Sequence, residues 1–164
     1  MPANHWHWWK GARGEWLVVA QAVLMGLVFF GPRTWSGQPA WPFPFAGACP
    51  FAGGALMIAG GLFFVAALLR LGPGLTPLPY PKDGSTLVQT GPYGIVRHPI
   101  YSGGLVLALG WALCVRGWLT LGYAVLLFVF LDRKSRREEA WLAERFPAYP
   151  DYQRRVRKLI PFLY

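Results

Sequence analysis

Arg97-His98-Pro99-Ile100-Tyr101 and Glu138-Glu139 are the segments of the chain best equipped to act chemically. Pro99 suits the first position of a helix and biases His98 toward an extended backbone. Arg97 and His98 then stand at a helix amino end, where free N–H groups and the helix dipole favour a carboxylate or a phosphate. The same placement also fits a plain helix start with Arg97 reaching for lipid headgroups. On a helix, Glu139 shares a face with the apolar Leu142, Ala143 and Phe146, whereas Glu138 turns toward Lys134 and Arg145. A carboxylate on an apolar face needs a cation or a ligand. Arg97 and Arg136 are the candidate cations for Glu139, and Ser135-x-x-Glu138 has the form of a capping box.

The elements that must carry these groups are apolar. Of 164 residues, 54% are hydrophobic, 16% are aromatic and only 14% are charged, against about 25% charged in a soluble domain. A soluble fold of this size needs more polar surface, and disordered chains lack such aromatic and aliphatic content. The composition points to an all-α integral membrane protein, one domain over residues 1–164. Four apolar segments are expected: Trp16 to Gly31, Phe51 to Leu71, Pro99 to Val115 and Trp118 to Leu131. Residues 1–71 form a two-span region. Residues 72–164 hold a turn-rich loop, a helical hairpin and a basic tail. The third and fourth segments are short of the roughly 20 residues of a full crossing. Gly53, Gly54, Gly60 and Gly61 permit close helix packing in lipid.

Trp6, Trp8 and Trp9 beside Lys10 and Arg13 suit the bilayer interface better than a cleaved signal. The net charge is +9, and nine of the sixteen Lys and Arg follow residue 132. Beside apolar spans this pattern indicates a cytoplasmic membrane surface and no nucleic-acid partner. The positive-inside rule places both termini and the 72–98 loop in the cytoplasm. Cys49 and Cys114 then fall near the outer face, as two apolar thiols or, in an oxidising compartment, a disulfide. No metal-ligand spacing links them to His5, His7 or His98. After Asp132 a fresh helix starts at the capping box, or the fourth span continues outward. Pro150 opens an interfacial helix with Tyr152, Val156, Leu159 and Ile160 on its apolar face. Glycine-rich nucleotide motifs and the G-x-S-x-G elbow are absent.

Thr86-Leu87-Val88-Gln89-Thr90-Gly91-Pro92-Tyr93, then Arg97-His98-Pro99-Ile100-Tyr101, a hydrophobic hairpin and Glu138-Glu139, resemble the integral-membrane methyltransferases. These include the isoprenylcysteine carboxyl methyltransferases and the phospholipid N-methyltransferases. The similarity runs over residues 79–164, continuing through Phe146, Tyr149, Tyr152, Val156 and Pro161. It implies S-adenosylmethionine as methyl donor and a lipophilic acceptor entering from the bilayer. It also implies a donor pocket built from the hairpin, the preceding loop and the C-terminal helix. By resemblance Leu87, Val88, Tyr93, His98, Pro99, Tyr101 and Glu139 bind the donor, and Arg97, Tyr101 and Glu138 are the catalytic candidates. The chemistry is compatible: Arg97 or His98 suits the donor's carboxylate, Glu139 its ribose or ammonium, and tyrosine faces its adenine or cationic methyl group. Methyl transfer to a carboxylate relies on positioning and water exclusion, so no general base is assigned.

Two positions depart from the isoprenylcysteine pattern. Ser85 stands where many such enzymes carry His, and Lys134 stands where they carry Arg. Lysine lacks the bidentate fork for a carboxylate, which leaves the acceptor open. Two other readings remain: an NADPH-dependent oxidoreductase of sterol-reductase type, and a non-catalytic membrane scaffold.

Overall fold

Pro99 and the Arg116-Gly117 pair delimit one helix to the residue, and the other helices pack around it. The protein is described here by a computed structural model covering residues 14–39, 41, 45–76, 78, 84 and 86–164. The aromatic and basic cluster at residues 6–13, Lys82 and Ser85 lie outside the described residues. The helices are α1 (Glu15–Phe30), α2 (Phe45–Leu71), α3 (Pro99–Val115), α4 (Trp118–Arg145) and α5 (Tyr149–Arg155). Single 3-10 turns occupy Gly72–Gly74 and Gly91–Gly94. The described residues contain no strand, only one parallel bridge between Val96 and Arg157.

α3 is central, touching α1, α2 and α4. Its contact with α2 is a backbone-to-backbone seam. A Cβ added at Gly110 would stand 2.7 Å from the Gly53 carbonyl oxygen, and one at Gly103 would stand 2.9 Å from that of Gly60. The two glycine pairs repeat at seven-residue spacing on antiparallel helices, which brings dispersion contacts into play where lipid supplies no hydrophobic drive. Only Gly53 and Gly60 of the four expected glycines serve this purpose. A Cβ added at Gly54 would meet nothing within 4 Å outside its own helix turn, and one at Gly61 would make ordinary contact with Leu107. On the opposite side of α3, Val28, Ala108, Ala124, Leu127 and Leu131 form the buried cluster joining α1, α3 and α4.

The α3–α4 turn sets Arg116 in the left-handed region at φ 50°. Gly117 follows because a Cβ there would meet Thr120 Oγ1 at 2.6 Å and the Arg33 carbonyl oxygen at 2.9 Å. That carbonyl accepts a hydrogen bond from the Leu119 N–H at 3.0 Å, docking the chain after α1 on the turn.

Two expectations need correction, and one open choice closes. α2 begins at Phe45 and runs through Pro50, its sixth residue, where the missing N–H costs one intrahelical hydrogen bond. Of the two readings after Asp132 the second holds: the fourth span continues outward, and α4 runs unbroken to Arg145. Ser135 is fully buried and its hydroxyl donates to the Asp132 carbonyl at 2.8 Å, so it caps nothing. The interfacial helix after Pro150 ends at Arg155. Beyond it the N–H groups of Arg97 and His98 donate to the carbonyls of Arg157 and Lys158 at 2.8 and 3.1 Å, which pulls the tail out of helix. Leu159, expected on the lipid-facing side, is buried. Cys49 and Cys114 are free thiols, and Cys114 Sγ lies 3.5 Å from the Pro50 carbonyl oxygen.

One helix among those described, Gly47–Leu71 with mean hydropathy 2.2, is long and apolar enough to cross a bilayer by itself. α1 and α3 are apolar but shorter, at 16 and 17 residues. The seam yields a direct test. Gly110→Val should destabilise the fold by about 1–3 kcal/mol, the usual range for overpacking a tight contact. Gly54→Val should change it far less. Thermal unfolding in detergent micelles compares the two, and equal losses would show that the seam does not hold α2 to α3.

Candidate active site

The start of α3, the charged half of α4 and the C-terminal segment meet at Arg97. Its Nε donates to Glu139 Oε1 at 2.8 Å, and its Nη1 donates to the carbonyls of Gln153, at 3.1 Å, and Val156. Glu139 Oε1 also lies 3.0 Å from His98 Nε2, and its Oε2 accepts from Gln153 Nε2 at 3.0 Å. An ionised carboxylate only accepts, so this contact places the imidazole proton on Nε2. Glu139 is therefore paired with Arg97, the first of its two candidate cations. Arg136 bonds Asp132 instead, at 3.1 Å.

Burial alone would raise the Glu139 carboxyl, but the hydrogen bonds and charges of His98 and Arg97 outweigh it and hold the group at about 2. Burial pushes the Tyr93, Tyr149 and Tyr152 hydroxyls up, so all three stay protonated donors. Burial lowers the Lys134 ammonium, and the nearby charge of Glu138 partly offsets that.

Glu138, one residue along the helix, faces the other way. Its Oε2 accepts from the Tyr101 hydroxyl at 2.8 Å and lies 3.8 Å from His98 Nδ1. The Tyr101 ring stacks on the His98 ring, with centroids 5.4 Å apart and planes 3° from parallel. Lys134 Nζ sits 5.2 Å from the Tyr101 ring centre and donates to Gln21 Oε1 at 2.6 Å.

These groups border a cavity of about 480 Å³, within the range of small-molecule sites. Of the residues expected at the site, Leu87, Val88, Tyr93, Arg97, His98, Pro99, Tyr101 and Glu138 line it. Glu139 does not; it stands behind Arg97 and His98 and faces a separate recess. No side chain caps the start of α3, which is part of the cavity wall. Tyr152 donates to the Tyr93 carbonyl at 2.6 Å, and Tyr149 Oη is buried with no hydrogen-bond partner among the described residues. Gln21 and Met25 of α1 complete the wall and were missed in the sequence. A lone amide inside an apolar span was the available signal for Gln21.

Residues 48–148 match the family model for phospholipid methyltransferase. The chain belongs to that family. It is 32% identical over 155 residues to a cobalt-zinc-cadmium resistance protein of Cupriavidus metallidurans, covering 92% of this chain and 63% of that one. It is 37% identical over 95 residues to a Delta(14)-sterol reductase of Mus musculus, covering 56% and 22%. It is 34% identical over 79 residues to a protein-S-isoprenylcysteine O-methyltransferase of Schizosaccharomyces pombe, covering 47% and 34%. The chain thus spans less than two thirds of the length of each relative. The family match takes in nearly all of α2, the whole of α3 and α4, and both glutamates.

The depressed Glu139 carboxyl makes folding pH-dependent in a defined window. Its folded value lies below its ordinary one, so its contribution is complete above about pH 4.5 and is lost as pH falls toward about 2. The loss is on the order of 3 kcal/mol. Unfolding measured from pH 6 to pH 2 should show this decline in the native chain. In Glu139→Gln it should be much reduced, on top of a stability deficit at neutral pH.

Proposed function

We propose that this chain is an integral-membrane methyltransferase that transfers a methyl group from S-adenosylmethionine to a lipophilic acceptor. The observation that carries this reading is the cavity itself. It joins an uncapped helix start and a Tyr101–Glu138 pair in one largely apolar chamber. The free N–H groups of that helix start call for a ligand with polar, anionic atoms. The donor's chemistry fits the rest. Its carboxylate suits the start of α3 beside His98, its ammonium suits Glu138, and its adenine and sulfonium suit the tyrosine faces.

When bound, the donor supplies an electrophilic methyl group on a sulfonium. The residues of this chain position and exclude water. Arg97 and Glu139 hold His98 in place, and Tyr101 fixes the Glu138 carboxylate through its hydroxyl. Tyr93, Tyr149 and Tyr152 are uncharged at neutral pH, so they keep the chamber apolar while offering ring faces. Lys134, held by a neutral amide and a ring, is the buried cation available to an acceptor with a negative group, such as an isoprenylcysteine-like carboxylate.

Exposed apolar side chains support insertion in the membrane. Trp16, Val19, Val23, Leu27 and Phe30 on α1 and Ile58, Leu62, Val65 and Leu69 on α2 all face outward. Such continuous apolar surface belongs against lipid. In this reading α1, α2, α3 and the first half of α4 cross the bilayer, with the short segments thinning it locally. Both termini and the 72–98 loop are cytoplasmic.

Calorimetric titration of the chain in nanodiscs with S-adenosylhomocysteine tests the proposal, with NADPH as comparator. Saturable one-to-one binding of S-adenosylhomocysteine is expected. Glu138→Gln should weaken it by roughly 1–3 kcal/mol, the loss of a charged partner. NADPH binding alone would favour the reductase reading instead. Binding of neither to folded protein would overturn both enzymatic readings and leave a scaffold.

A further inference from the structure

Behind the Arg97–Glu139 pair, facing away from the chamber, lies a second recess of about 550 Å³. Its walls come from α4 (Arg136, Glu139), α5 (Gln153) and the C-terminal segment (Arg157, Lys158), with Arg97 between the two cavities. We propose that this recess binds the phosphate of an anionic phospholipid in the cytoplasmic leaflet.

The charge balance comes first. Two acidic side chains bear on the recess, Glu139 in its wall and Asp132 against its cations, and both are saturated from within the protein. Glu139 accepts from Arg97, His98 and Gln153. Asp132 accepts from Lys158 at 2.5 Å, Arg136 at 3.1 Å and the Tyr164 hydroxyl at 2.8 Å. Four cations therefore surround two acids that have little accepting capacity left. The Arg157 side chain is exposed and makes no hydrogen bond or ion pair with the described residues. Together these groups form a site short of negative charge, with donors suited to phosphate oxygens.

Position and shape select a lipid as the carrier of that phosphate. Leu131 is the last buried apolar residue of the α4 core cluster. Arg136 stands five residues further along the helix, about 7 Å by helical rise, which is the headgroup level. The adjoining turn exposes Phe162 at 91% and Leu163 at 78%. Phe162 is held in the left-handed region at φ 64°, a costly conformation for an aromatic residue. An outward aromatic beside a basic recess suits acyl chains next to a headgroup. The inference rests on the membrane-insertion part of the reading above and not on the methyl donor.

The test is the shift in thermal unfolding of the full chain in neutral detergent. The probes are dioleoylphosphatidylglycerol, dioleoylphosphatidylcholine and inorganic phosphate. The variants are Arg136→Gln with Arg157→Gln, and a charge-matched control, Arg133→Gln with Arg154→Gln, outside the recess. Saturable stabilisation by the glycerol lipid alone is expected. The recess variant should need about thirtyfold more lipid for the same shift, from the usual worth of two cations near an anionic surface, and the control should stay close to the native chain. Equal loss in both variants would overturn the site in favour of diffuse surface charge. An equal response to inorganic phosphate would overturn the lipid assignment, and so would an equal response to the choline lipid. S-adenosylhomocysteine binding by the recess variant keeps this outcome separate from that of the enzymatic reading, and carbonate-washed membranes report insertion independently.

Discussion

The Arg97–Glu139 ion pair is the contact on which the site depends. Both side chains are nearly excluded from solvent, and a buried pair is tolerable only when its remaining donors and acceptors are satisfied. Here they are. Glu139 has three donors, and Arg97 reaches two carbonyls at the end of α5. The same junction orders the tail, because the backbone N–H groups of Arg97 and His98 bond the carbonyls of Arg157 and Lys158. Ser102 adds a hydroxyl to the Leu159 carbonyl at 2.6 Å. One ion pair thus fastens the start of α3, the middle of α4 and a non-helical tail to one another.

The helix lengths explain how such a polar knot can sit at the end of an apolar bundle. α3 is bound to α2 through glycines and to α1 and α4 through small and branched residues, which places its N-terminus at the edge of the apolar zone. α4 is 28 residues long, about 42 Å by helical rise. Its first half packs in the core, and its second half projects beyond that core carrying Lys134, Glu138 and Glu139. A helix broken at Ser135 would have pointed those groups elsewhere. The continuous helix, without proline until Pro147, is what aims them at His98 and Tyr101.

Much of this was legible in the residues. α3 has its expected bounds because Pro99 opens it and Arg116-Gly117 closes it, both strong local signals. The eight cavity-lining residues came from the loop motif and Glu138. What escaped had tertiary causes. Ser135-x-x-Glu138 satisfies the capping pattern, yet burial of Ser135 against its own helix decides the matter. The apolar spacing of Tyr152, Val156 and Leu159 fits a helix, but backbone pairing with Val96–His98 wins beyond Arg155. Gln21 sits 113 residues from its partner Lys134, and no local pattern announces that pairing. Gly54 and Gly61 look identical to Gly53 and Gly60 in sequence, and only the rotation of α2 against α3 separates them.

Adjacent glutamates are repulsive neighbours, and their roles follow from the helix between them. Consecutive residues on an α-helix point about 100° apart. With α4 fixed by Arg97, Glu139 must face the tail and Glu138 must face the chamber. The geometry gives the first a full set of donors and a carboxyl at about 2, so it remains charged at any physiological pH and serves as an anchor. The second has one hydroxyl donor, from Tyr101, and a distant imidazole nitrogen. It keeps accepting capacity on the cavity side, where a ligand can use it. His98 spans the two, one ring nitrogen toward each carboxylate. A change in what occupies the chamber would therefore be felt at the anchor through a single imidazole. That ring is stacked on Tyr101 and has little freedom to turn without breaking both contacts.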